Sequence, residues 1–189
     1  MQTFWMFTEL GARHIADWRG YDHILFLVAL CSIYTFADWR KLLLIVTSFT
    51  IGHSLTLFLA AFEVVDIDTY WVELGIVVTI AITGFANLTK PGQNRKSNLK
   101  IYFAGIFGLI HGLGFSRYYN MIAEGNPWVS LPAFTLGIEL GQVAIVLAFL
   151  VLGWILMSAL KIKLRDWNMV ISGAVIGIAL VMILERLDL

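Results

Sequence analysis

The stretch KLLLIVTSFTIGHSLTLFLAAF, residues 41–62, decides the fold. After Lys41 it holds no acid, lysine or arginine, and its one ionisable interior side chain is His53. A helix needs roughly 20 mostly apolar residues to cross about 30 Å of hydrocarbon, and this stretch supplies them. Five more stretches of the same kind surround it, near residues 21–37, 70–89, 99–118, 132–158 and 168–185. The connections are short and polar: Asp38-Trp39-Arg40, a segment with Glu63 and Asp68, KPGQNRKSN (90–98), a turn at Glu124-Gly125-Asn126-Pro127, and KIKLRD (161–166). In lipid the backbone must satisfy its own hydrogen bonds. The pattern therefore predicts an all-α integral membrane protein, a bundle of six transmembrane helices forming one polytopic domain over residues 1–189.

Composition agrees. Of 189 residues, 59% are hydrophobic and 14% are charged, against about 45–50% and about 25% in soluble domains. Thirteen basic residues balance thirteen acids, which leaves no charge excess for nucleic acid. A single cysteine, Cys31, excludes an internal disulfide. Residues 1–20 carry Glu9, Arg13 and Asp17 among aromatics. They are too polar to span and predict a short amphipathic helix at the interface.

Basic residues set an expected orientation. The loops after spans one, three and five carry Arg40, Lys41, Lys90, Arg95, Lys96, Lys100, Lys161, Lys163 and Arg165, and the other side carries Arg13, Arg19, Arg117 and Arg186. The positive-inside rule places the richer side in the cytoplasm and both termini outside. The expected location is a bacterial-type inner (plasma) membrane, crossed several times.

The chain has four histidines, His14, His23, His53 and His111, and two acids, Asp22 and Glu139, lie in or beside the spans. Ionisable groups in a membrane cost about 2.5–3.5 kcal/mol each on insertion scales and face the bundle interior. Counted along their helices at 1.5 Å per residue, all six fall in the outer half. Imidazole and carboxylate are ligands for zinc, nickel, cobalt and copper(II). These six residues are the candidate metal ligands, with Ser54, Thr50 and Gln142 as groups that orient them. Any single histidine could instead be a hydrogen-bonding packing residue, and Asp22 could simply begin a helix. The glycines of GLIHGLG (108–114) and GIELG (137–141) permit close helix approach. FTIGHSL (49–55) and FGLIHGL (107–113) share Phe, His and Leu at the same offsets, the pattern an old parallel duplication would leave.

Four segments in order carry a family resemblance: HIADWRGYDHILFLVAL (14–30), FTIGHSLTL (49–57), FGLIHGLGF (107–115) and GIELGQ (137–142). Together they resemble the HupE/UreJ family of hydrogenase and urease accessory membrane proteins. The resemblance implies a membrane protein linked to nickel or cobalt uptake, with His14, Asp22, His23, His53, His111 and Glu139 as motif residues. It also implies a metalloenzyme maturation system as a partner beside the lipid bilayer. No proline stands near His14 or His23, unlike the signature of the nickel-permease branch, so nickel, cobalt and zinc all stay open as the metal.

Three functions fit these residues. The first is transport or capture of a divalent transition-metal cation through an outward-facing site. The second is a zinc-type intramembrane hydrolase of a lipid or membrane peptide, with Glu139 or Asp22 as base and Ser54 orienting water. The third is a structural subunit that holds no metal. The lower halves of spans one, two and four show no conspicuous polar residue, which counts against a path through the bundle.

Overall fold

The computed structural model describes residues 2–188 apart from 19, 66, 91 and 123–126. Arg19 and the expected turn at 124–126 lie outside the described residues. The described chain is all helical: α1 (Gln2–Ile15), α2 (Asp22–Cys31), a 3-10 turn at Phe36–Asp38, α3 (Trp39–Ala61), α4 (Thr69–Leu88), α5 (Leu99–Ile122), α6 (Pro127–Leu160) and α7 (Leu164–Arg186). Five of these helices, α3 to α7, are long and apolar enough to cross a membrane. Their outer faces present Leu44, Ile51, Phe85, Tyr102, Trp154 and Val170. Such a continuous apolar surface suits lipid rather than water.

The first crossing differs from the expectation. In place of a span over 21–37 preceded by an interfacial helix, the chain forms two half-length helices with a break between them. At 1.5 Å per residue α1 is about 21 Å long and α2 about 15 Å, so neither crosses alone. Helix α1 does not lie apart from the bundle. It runs alongside the first half of α6, with Gly11 against Phe134, Thr8 against Gly137, and Ala12 and Ile15 against Gly141. Helix α2 starts beside the middle of α3 and α5, where the His23 ring meets those of His53 and His111. It then leads to Ser32, which bonds Asn168 near the start of α7. Glu9, Arg13 and Asp17 made residues 1–20 look interfacial, but the buried face of α1 (Phe7, Thr8, Gly11 and Ile15) is small and apolar enough to pack.

Glycines set the two closest interfaces. Helices α3 and α5 run parallel, as the sequence echo suggested. A Cβ on Gly52 would lie 2.1 Å from the Gly105 carbonyl oxygen, and one on Gly108 would lie 2.2 Å from that of Phe49. Across α1 and α6, a Cβ on Gly11 would lie 2.1 Å from the Phe134 carbonyl and one on Gly137 would lie 2.0 Å from that of Thr8. Only glycine lets backbones approach this closely, and in lipid such packing replaces hydrophobic burial as the force holding helices together. Helices α4 and α7 form an antiparallel pair, with Asn168 donating to the Asn87 carbonyl at one end and Arg186 near Glu73 at the other. The basic loops gather at one end of the bundle, where Arg95 pairs with Asp38 at 2.6 Å and Lys41 bonds Asn98.

Candidate metal centre

The site forms where the break in the first crossing meets the glycine-packed helices. Parallel packing of α3 and α5 carries His53 and His111 to one level. The groove along α6 holds α1 so that His14, near its end, reaches the same level. His23 follows the first residue of α2. Ring centroids are 4.7 Å apart for His14 and His23, 5.6 Å for His14 and His53, 5.7 Å for His23 and His53, and 5.1 Å for His23 and His111. His23, His53 and His111 are buried, and His14 is half-buried.

The free nitrogens define the chemistry. Among the described residues, Nε2 of His14, Nε2 of His23, both ring nitrogens of His53 and Nδ1 of His111 are buried without a hydrogen-bond partner. An unpartnered buried polar atom costs roughly 1–3 kcal/mol, so a group of them in one place requires an explanation. One ligand atom each from His14, His23 and His53 lies within 4.8 Å of the others. That spacing lets one cation reach all three after small side-chain adjustments, and imidazole suits zinc, nickel or cobalt. The remaining nitrogens are oriented by neighbours. Asp22 Oδ1 faces His23 Nδ1 at 3.0 Å, leaving Nε2 to the centre. Thr79 Oγ1 lies 3.0 Å from His111 Nε2, leaving Nδ1 free. The carbonyl end of α1 points toward the cluster, a favourable place for positive charge, and Asp22 offsets the opposite pole at the start of α2.

The candidate residues divide into two groups. His14, His23 and His53 converge, with Asp22 and His111 directly beside them. Glu139, Ser54 and Thr50 line a different feature, a 550 Å³ groove between α3 and α6. Glu139 Oε1 accepts from Thr47 at 2.6 Å, its Oε2 lies against Thr50, and Thr50 also bonds Gln142 Oε1 at 2.9 Å. Ser54 accepts from Thr135 at 2.8 Å. Glu139 is not one of the ligand group that converges among the described residues.

Sequence reasoning missed Thr79, which stands on α4, a helix that carries none of the candidate motifs. It also missed the approach to the site. A cavity of 540 Å³ is lined by Leu10, Arg13, His14, Asp17, Trp18 and Phe115, among others, so His14 forms part of its wall. The His14 ring packs 3.8 Å from that of Phe115. Two of the polar residues that made residues 1–20 look interfacial, Arg13 and Asp17, line this cavity.

Comparison with curated proteins and with solved structures finds no match. A family model described as HupE / UreJ protein matches residues 1–186, nearly the whole chain. The chain belongs to the HupE/UreJ family.

Proposed function

We propose that this protein captures a divalent transition-metal cation at His14, His23 and His53 and carries it across the membrane. The observation that carries this reading is the set of buried imidazole nitrogens that have no partner among the described residues and lie within reach of one another. Nickel and cobalt are the cargo favoured by the family's association with their uptake, and zinc fits the same donors. The cavity beside His14 supplies an approach to the site. The positive-inside rule favours a cytoplasmic position for the end that carries the basic loops, and the reading has the approach and both chain termini on the outer side. A metalloenzyme maturation system would use the delivered metal.

The hydrolase reading has less support. Two of its three candidate catalytic groups, Glu139 and Ser54, stand in the groove between α3 and α6. Only Asp22 is beside the histidines, and it is engaged with His23.

The test is metal content and flux. Purified protein is loaded with nickel, cobalt or zinc, freed of excess and analysed, then reconstituted into vesicles holding a metal-sensitive dye. Saturable uptake that His53→Ala abolishes supports the reading. Equal metal content and uptake in the wild type and in both His53→Ala and His23→Ala overturn it.

A further inference from the structure

The way from the histidines toward the basic end is closed between α2, α3 and α5. Phe26 and Phe49 stack with centroids 5.0 Å apart, and Phe107 stands 6.1 Å from Phe26. Both Phe26 and Phe49 also contact the His111 ring, at 5.2 and 5.1 Å. All three phenylalanines are buried, and together they form an apolar floor that a hydrated dication cannot cross.

Helix α4 passes beside this floor with a different face. Thr79, Thr83 and Asn87 recur every four residues, so they form one row about 12 Å long. All three are buried. The row begins at His111, through Thr79. Its middle member, Thr83, and Lys100 are the polar members of an otherwise apolar 160 Å³ cavity walled by Leu30, Ile82, Phe103 and Phe107, among others. Its last member, Asn87, accepts from Lys100 Nζ at 2.5 Å and donates to the Ala29 carbonyl at 2.6 Å and to Ser32 Oγ at 3.1 Å.

Lys100 is the anomaly in this region. It sits in the first turn of α5, where the helix dipole disfavours a cation. It is half-buried, and its ammonium turns inward to Asn87 and to within 5.9 Å of the Tyr34 ring centroid. A lysine serving only to anchor the helix at the interface would extend toward the headgroups. A fixed positive charge at the end of a polar path is instead an electrostatic barrier to cations.

We infer that Thr79, Thr83 and Asn87 line the second half of the cation's route and that Lys100 is its charged gate. This rests on the permease reading above and adds the path below the histidines that spans one, two and four lack. The hydroxyls and the amide oxygen replace water around the dication as it passes the phenylalanines. Lys100 slows its release, which keeps the path from leaking.

The experiment compares wild type, Lys100→Gln, Lys100→Arg and Thr83→Val in the full-length protein, reconstituted with a nickel-sensitive dye inside the vesicles. Metal content per chain is measured alongside. Glutamine keeps a hydrogen bond to Asn87 and removes the charge, so Lys100→Gln should raise nickel flux about tenfold while Lys100→Arg stays near wild type. Thr83→Val preserves shape and should lower flux about tenfold, with nickel content unchanged in every variant. If the wild type carries nickel and all three variants match it, this inference fails and the permease reading stands. If Lys100→Gln and Lys100→Arg accelerate flux equally, charge is not the gate and the inference fails. If the wild type binds nickel and moves none, both fall.

Discussion

Asp22 Oδ1 accepts from the backbone N–H of His23 at 2.8 Å and lies 3.0 Å from the Nδ1 of the same residue. One carboxylate thus satisfies a backbone amide in the first turn of α2 and fixes which imidazole nitrogen faces the metal centre. A carboxylate behind a ligating histidine orients the ring and raises its basicity, and its loss usually costs 10–100-fold in metal affinity. We predict that Asp22→Ala weakens nickel or zinc binding by about that factor, while Asp22→Asn, which keeps an acceptor oxygen, loses less. Competition titration with a chromophoric chelator measures both. Equal affinities for wild type and Asp22→Ala would remove Asp22 from the site.

Among the described residues His53 has no hydrogen-bond partner at either ring nitrogen. Its replacement therefore breaks no internal hydrogen bond. We predict that His53→Ala abolishes the thermal stabilisation that metal gives the wild type. That stabilisation is about 2.7 kcal/mol at a hundredfold excess of metal over Kd. The metal-free variant should melt close to the metal-free wild type, apart from the small cavity left by the ring. A melting curve in detergent, with and without chelator, reads both effects.

Protons and metal compete for the same imidazole lone pairs. An ordinary imidazole protonates near pH 6.5, and a ligating one must be neutral. The expected sign is that affinity falls once the pH is low enough to protonate the ligating imidazoles. Binding titrations carried from neutral pH down to about pH 4 read this, and a metal retained unchanged at the lowest pH at which the protein stays folded would argue against imidazole ligation.

How much of this was legible beforehand differs by residue. His53 and His111 could be placed at one level because each lies at a countable depth on an apolar helix, whereas His23, expected at the outer end of a full span, meets their rings because α2 begins inside the bundle. His14 could not, because its level depends on α1 packing against Gly137 and Gly141, and polar residues on the other face of α1 concealed that. Glu139 shares a depth with the histidines but not a direction. It stands two residues beyond Gly137, about 200° around the helix, so when Gly137 faces α1 and His14, Glu139 faces away from them. Depth was read and azimuth was not. Thr79, Thr83 and Asn87 were visible at four-residue spacing, but they lie on the one span of the first four that carries no histidine.

That azimuth makes a separate prediction for Glu139. Its partners are Thr47 and Thr50, and it lines the groove between α3 and α6 rather than the histidine centre. Substitutions at sites without shared partners act independently. Glu139→Gln should therefore leave metal stoichiometry unchanged and affinity within about twofold of wild type. Elemental analysis and the same chelator titration check this, and a lost metal would show that the carboxylate swings into the centre.

The geometry of the centre depends finally on two carbonyls meeting two glycines. Gly108 lies against the Phe49 carbonyl, and Gly52 lies against that of Gly105. Phe49 is one turn from His53, and Gly108 is three residues from His111. A side chain at either glycine must push α3 and α5 apart just where they present both histidines. Overpacking a rigid contact costs about 1–3 kcal/mol, and the contact here is backbone, which cannot rotate away. We predict that Gly108→Val lowers the melting temperature and weakens metal binding together, whereas Gly177→Ala on α7, where a Cβ meets nothing within 4 Å, changes neither. If Gly108→Val kept wild-type affinity, the imidazoles would not owe their convergence to the close packing of α3 and α5.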